Sequence, residues 1–183
     1  MPGFTLTYFP VRGRAEPIRL LLADQGAIWT EKEVQIDDWF SGKCELKKTA
    51  VRIAGSNKEE SARIDMVNDG VEDLRQKFSR FVFIEFETGK EKYLQDLPNQ
   101  LSPFEKILSN NANGTKFVVG DKISFADYNL LDMIHCHLDL DPKCLASFPL
   151  LSAYSQRLDK RPKLSDYLKS EKRNKRPITP KHK

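Results

Sequence analysis

Phe4-Thr5-Leu6-Thr7-Tyr8, then Phe9-Pro10-Val11-Arg12-Gly13-Arg14, then Leu20-Leu21-Leu22-Ala23-Asp24-Gln25-Gly26 are the residues that decide the fold. The first group alternates apolar and polar side chains, the period of a half-buried strand, and the second carries turn chemistry in Pro10 and Gly13. From Ala15 a helix is predicted: Pro17 suits a first turn, Ile18, Leu21 and Leu22 fall at helical spacing, and Gly26 is placed to end it. Alternation returns over residues 29–36, so the opening reads as strand, helix, strand, a βαβ unit with parallel strands.

Downstream the period changes. Residues 37–60 fit neither template and read as a loop with a short helix. From Ser61 onward Ile64, Val67, Val71, Leu74, Phe78 and Phe81 recur at steps of three and four, which predicts one long amphipathic helix. Further helices are expected over 93–108, 124–138, 150–158 and 164–168, divided by Asn110-Asn111-Ala112-Asn113-Gly114, Asp141-Pro142 and Arg161-Pro162. Strands followed only by helices give an α/β plus all-α chain, divided here into residues 1–58 and an all-helical domain over 59–183.

Composition fits a chain that buries a core without metals or disulfides: 183 residues, 39% hydrophobic and 31% charged. No apolar run is long enough to span a bilayer and Met1-Pro2-Gly3-Phe4-Thr5 is unlike a secretory signal, so a cytoplasmic location is expected. Cys44, Cys136 and Cys144 are odd in number and unpatterned, as in a reducing compartment. The net charge of +4 is uneven, because residues 169–183 hold seven Lys or Arg against Glu171. That basic tail reads as a mobile, solvated end. It lacks the aromatic interleaving of a nucleic-acid site, so no nucleic-acid partner is expected.

Tyr8 stands where the first strand meets its turn, at the carboxyl end where open sheets bind ligands. By itself such a tyrosine is more often a half-buried packing residue than a chemical one. The run from Tyr8 to Gly26, however, resembles the start of pi-class cytosolic glutathione transferases. The resemblance resumes at Asp65-Met66-Val67-Asn68-Asp69-Gly70-Val71-Glu72-Asp73-Leu74-Arg75. It continues at Val119-Gly120-Asp121, Ile123-Ser124-Phe125-Ala126-Asp127-Tyr128-Asn129-Leu130-Leu131-Asp132, Phe148-Pro149-Leu150-Leu151-Ser152-Ala153-Tyr154 and Arg161-Pro162-Lys163-Leu164.

The resemblance implies a thioredoxin-like first domain, a helical second domain and conjugation of reduced glutathione, as co-substrate, to hydrophobic electrophiles. No other cofactor and no metal is implied. Tyr8 would donate a hydrogen bond to the glutathione sulfur and favour its thiolate. Arg14, Trp39 and Lys43 would meet the carboxylates of glutathione, and Asp73 of a neighbouring subunit its amine, which implies a homodimer. Phe9, Val11 and Phe83 would line the electrophile pocket, with phenylalanine at position 83 where the family usually has tyrosine. Ser124 and Asp127 form an S-x-x-D capping box, a folding determinant. His135 and His137 are two apart on a helix, turned to different faces, and Cys136 between them makes no metal site.

The resemblance breaks over residues 37–60, which contain no proline and no Gln-Ser pair, the family's means of holding the cysteinyl and γ-glutamyl parts of glutathione. The first domain therefore reads as truncated by an internal deletion, with exposed strand edges and an uncovered sheet face. Weak or absent turnover is expected, and the alternative is a non-catalytic dimerising or partner-binding protein built on the helical domain.

Overall fold

The computed structural model describes residues 3–35, 37–38 and 57–179. Trp39 and Lys43 lie outside them, as does most of the stretch 37–60. The chain packs as two compact units, one from residues within 1–51 and 159–183, the other from residues within 52–158.

In the first unit β1 (Phe4–Tyr8) pairs in parallel with β2 (Trp29–Glu33), in a register that sets Phe4 beside Trp29 and Tyr8 beside Glu33. The connection is a 3-10 turn (Gly13–Ala15) leading into α1 (Glu16–Asp24). Pro17 sits in the first turn of α1, where its missing N–H has no helical partner to lose, and Gly26, at φ +64°, follows its end in the left-handed region. No residue of either strand is buried as a whole, although the Glu31 side chain is only 6% exposed, and Phe4 and Ile28 remain exposed, as expected of a sheet with two strands among the described residues.

Two expectations for this unit need correction. Ile18, placed by spacing with Leu21 and Leu22 on one apolar face, is exposed, whereas Glu16 and Arg19 are buried. Helical spacing marks a face by hydrophobicity, and here ionic partners reverse the choice. The basic tail, expected to be solvated, is exposed over most of residues 169–175 but not at 176–179. After α5 (Pro149–Asp159), α6 (Pro162–Leu168) packs on α1, α7 (Glu171–Asn174) follows, and Arg176, Ile178 and Thr179 are buried. Three positive charges of this segment face acids of the first unit: Arg176 lies 2.6 Å from Glu31, Arg173 3.3 Å from Glu16 and the exposed Lys172 3.5 Å from Glu31. Residues 159–179 thus pack with the βαβ elements, although the sequence groups them with the helices.

In the second unit α2 (Lys58–Arg80) begins at Asn57, whose side chain accepts the Glu60 N–H at 2.9 Å. A π-helical stretch, Phe81–Glu85, carries it into α3 (Phe86–Asn110), and α4 (Phe125–Leu140) packs against α2. The six apolar residues at helical spacing, from Ile64 to Phe81, are all buried. The Ser124–Asp127 capping box is formed at the start of α4. Asp127 also accepts the Val118 N–H at 2.9 Å and the Tyr154 hydroxyl at 2.8 Å, so a single buried carboxylate ties the preceding loop and α5 to the helix start. Burial raises its pKa more than these hydrogen bonds lower it.

His137 is fully buried in this unit. Its Nδ1 lies 2.6 Å from the Met133 carbonyl, which makes Nδ1 the protonated nitrogen, and Nε2 accepts the Tyr93 hydroxyl at 2.7 Å. Phe78 packs edge-on and Tyr93 stacks against the ring. Burial, helped by the charge of Arg75, pushes the imidazole down to about 4 from 6.5, against the bond to Met133. The folded chain therefore resists a proton that the unfolded chain takes up, and stability present above pH 6.5 is lost as pH falls towards 4. The loss attributable to His137 approaches about 3 kcal/mol. Denaturant midpoints measured from pH 7 to pH 4 should fall more steeply for the native protein than for His137→Gln.

Candidate active site

The site is assembled at the carboxyl end of β1. Pairing continues past the strand, where the Tyr8 carbonyl accepts the Val34 N–H at 3.0 Å, so the Tyr8 backbone is fixed by the sheet. Its ring is half-buried and tilted against Phe9, with centroids 5.3 Å apart. The chain then turns sharply, with the Val11 N–H bonded to the Phe9 carbonyl at 2.7 Å, and Arg14 returns its backbone N–H to the Tyr8 hydroxyl at 3.1 Å. A phenol that accepts through a lone pair keeps its own hydrogen for donation. This loop presents an oriented O–H donor at the strand end.

Gly13 makes that close return feasible. It has φ +43°, in the left-handed region, and a Cβ there would come within 2.9 Å of the Tyr8 hydroxyl oxygen. Arg14 is exposed, and its hydrogen bond to Tyr8 is made by the backbone. Val11 is buried, its carbonyl taken by Arg19 Nη1 at 3.1 Å; the same nitrogen donates to the Arg12 carbonyl at 3.1 Å. Phe9 and Val11 belong to the first unit. Phe83 belongs to the second, on the π-helical stretch, and is exposed. Asp73 is exposed on α2, beside a cavity of about 430 Å³ that is also lined by Met66, Lys77, Asp96 and Phe104. Among the described residues no cluster of His, Cys, Asp or Glu could hold a metal.

Sequence reasoning missed the residues beneath the loop. Arg19 pairs with Glu16 at 3.2 Å and with Glu31 at 3.3 Å, both acids nearly inaccessible, while the Tyr167 hydroxyl donates to Glu16 at 3.2 Å. The spacing of Glu16 and Arg19 at i and i+3 was the one available signal, and it is shared by countless exposed helix pairs. Burial pushes the Glu31 carboxyl up, but Arg19, Arg176, Lys172 and the Trp29 indole N–H outweigh it and hold the group below the usual carboxylate range.

A tyrosine hydroxyl poised at the end of a parallel βαβ unit, in a chain that continues into a capped helical domain, defines the architecture of glutathione transferases. Residues 72–171 match the family model described as the glutathione S-transferase C-terminal domain. The chain is 62% identical to glutathione S-transferase P 1 of Xenopus laevis, covering all of both chains, and 53% identical to glutathione S-transferase P 2 of Bufo bufo, covering 96% and 97%. The solved pi-class glutathione S-transferase of Onchocerca volvulus superposes with a TM-score of 0.88 at 36% identity, over 96% of each chain. This chain belongs to the pi class of the glutathione S-transferases. The comparison with the Xenopus protein runs over 211 positions whereas this chain has 183 residues, so 28 aligned positions have no residue here.

Gly13→Ala should shift the Tyr8 hydroxyl and cost about 1–2 kcal/mol from the left-handed backbone alone. A thermal melt checks the stability, and a crystal structure or the ring resonances of Tyr8 check the displacement.

Proposed function

We propose that this protein is a glutathione transferase that joins the sulfur of reduced glutathione to hydrophobic electrophiles, with a weakened hold on glutathione. The observation that carries the proposal is the Tyr8 hydroxyl, fixed by the Arg14 N–H at 3.1 Å with its hydrogen left for an incoming sulfur. A thiol near pKa ~8.5 is mostly protonated at neutral pH. Hydrogen bonding from a phenol favours the thiolate, which attacks the electrophilic carbon while the leaving group departs with its electron pair.

The remaining roles follow from family membership. Arg14, exposed at the loop, suits a carboxylate of glutathione; Trp39 and Lys43 would meet the glycyl carboxylate. Asp73, accessible on α2, suits the γ-glutamyl amine of glutathione bound by a second copy, so the working form is a homodimer. Phe9 and Val11 supply apolar wall, and Phe83 has no hydroxyl with which to assist the electrophile. A cytoplasmic location goes with this reading, and no described helix is long and apolar enough to cross a membrane.

The 28 missing positions support an internal deletion, since the comparison extends over the whole of both chains. Loss of the proline and the Gln-Ser pair from residues 37–60 would leave fewer contacts to orient the thiolate, and misplacement is costly to rate. No observation favours the non-catalytic alternative.

Tyr8→Phe should lower kcat/KM for conjugation of 1-chloro-2,4-dinitrobenzene by about a hundredfold. It should also move the alkaline rise of the pH profile upward, with little change in glutathione affinity by calorimetry. A folded sample that binds no glutathione would overturn the proposal.

A further inference from the structure

The loop that orients Tyr8 is held from two sides. Arg19, from α1, takes the carbonyls of Val11 and Arg12. The opposite side is held by the end of the described chain: the Arg12 N–H donates to the Pro177 carbonyl at 2.8 Å and the Gly13 N–H to the Ile178 carbonyl at 3.0 Å. These amides lie at the N-cap and first residue of the 3-10 turn and have no acceptor inside a helix, so they depend on an external one.

Residues 177 and 178 follow directly on an ionic anchor, and Ile178 is itself buried. A helix of four residues, α7, has no stability of its own in water. Lys172 is largely exposed and its 3.5 Å contact with Glu31 counts for little. Arg176 is different. Its side chain is 4% exposed, lies 2.6 Å from a Glu31 carboxylate that is itself 6% exposed, and reaches Glu33 at 3.5 Å. Glu31 and Glu33 stand on β2, next to Leu6 and Tyr8 of β1 in the parallel register.

We propose that Arg176 is a positioning residue for Tyr8. Anchored to β2, it sets the Pro177 and Ile178 carbonyls against the Arg12 and Gly13 N–H groups, and so holds the Arg14 N–H that orients the phenol. Gly13 makes the arrangement necessary, because a glycine at φ +43° has no side chain to restrict the loop once the two carbonyls withdraw. The catalytic consequence rests on the reading of Tyr8 as donor to the glutathione sulfur, whereas the mechanical one does not.

The experiment compares the native protein with Arg176→Gln and Arg176→Lys, in the full chain, by amide hydrogen exchange and by conjugation kinetics. Arg176→Gln should speed exchange of the Arg12 and Gly13 amides by about tenfold or more while α2 and α3 stay as protected as in the native protein. Arg176→Lys, which keeps the charge without the planar fork, should recover most of the protection. Where the native protein conjugates glutathione, Arg176→Gln should also move the alkaline rise of the pH profile upward, which a smaller folded fraction cannot do. Unchanged exchange at Arg12 and Gly13, exchange that rises equally throughout the protein, or an unmoved pH profile in an active enzyme each overturns the proposal. Because exchange needs no glutathione, an inactive native protein would refute the transferase reading and leave this test standing. Should Arg176→Gln fail to fold, native-state exchange in low urea decides. Residues 12–14 and 176–179 should open in one step while α1 stays closed, and separate opening of the two segments overturns the proposal.

Discussion

The buried carboxylate of Glu31 is the constraint on which the first unit depends. It sits on a strand none of whose residues is fully buried, and its Oε2 binds both Arg19 of α1 and Arg176 of the returning chain. Removing charges from water costs several kcal/mol per ion, so a buried cluster of this kind does little for net stability unless it is fully paired. Its contribution is geometric. With so little apolar area on the strands, directional ionic contacts fix where the loop after β1 lies, and that loop carries the tyrosine.

The second unit is built on the opposite principle. Ile64, Val67, Val71, Leu74, Phe78 and Phe81 are buried, and Arg75, Asp127 and His137 are buried with polar partners of their own. Arg75, raised in pKa by Asp132 and Glu72 despite the opposing effect of burial, bonds Asp132 at 2.8 Å and the Asn129 side chain at 2.6 Å. Asp127 and His137 are similar, each a buried polar side chain with hydrogen-bond partners from more than one segment. The core of this unit is supplied by its own helices.

Much of this was legible in the sequence. The strand-to-turn transition at Tyr8, the helix through Phe78, and the capping box at Ser124 are local patterns, and each formed where its spacing placed it. Arg176 was misread for a physical reason: a run of Lys and Arg looks solvated when its counter-charges are far away in sequence, and the Arg176–Glu31 contact spans 145 residues. Ile18 was misassigned by the same ignorance of partners. Trp39 and Lys43 rest on family resemblance alone, since they fall outside the described residues.

By itself the sequence determined the order and kind of the elements, the glycine that lets the loop return, and the family. Those follow from periodicity, backbone conformation and short motifs, all of which act over a few residues. Only the tertiary structure decided which charges go inside. Glu16, Arg19, Glu31 and Arg176 carry ordinary surface side chains, and their burial depends on meeting opposite charges brought from distant parts of the chain. No local period encodes such a meeting, because the cost of burying a charge falls only once its partner is in place.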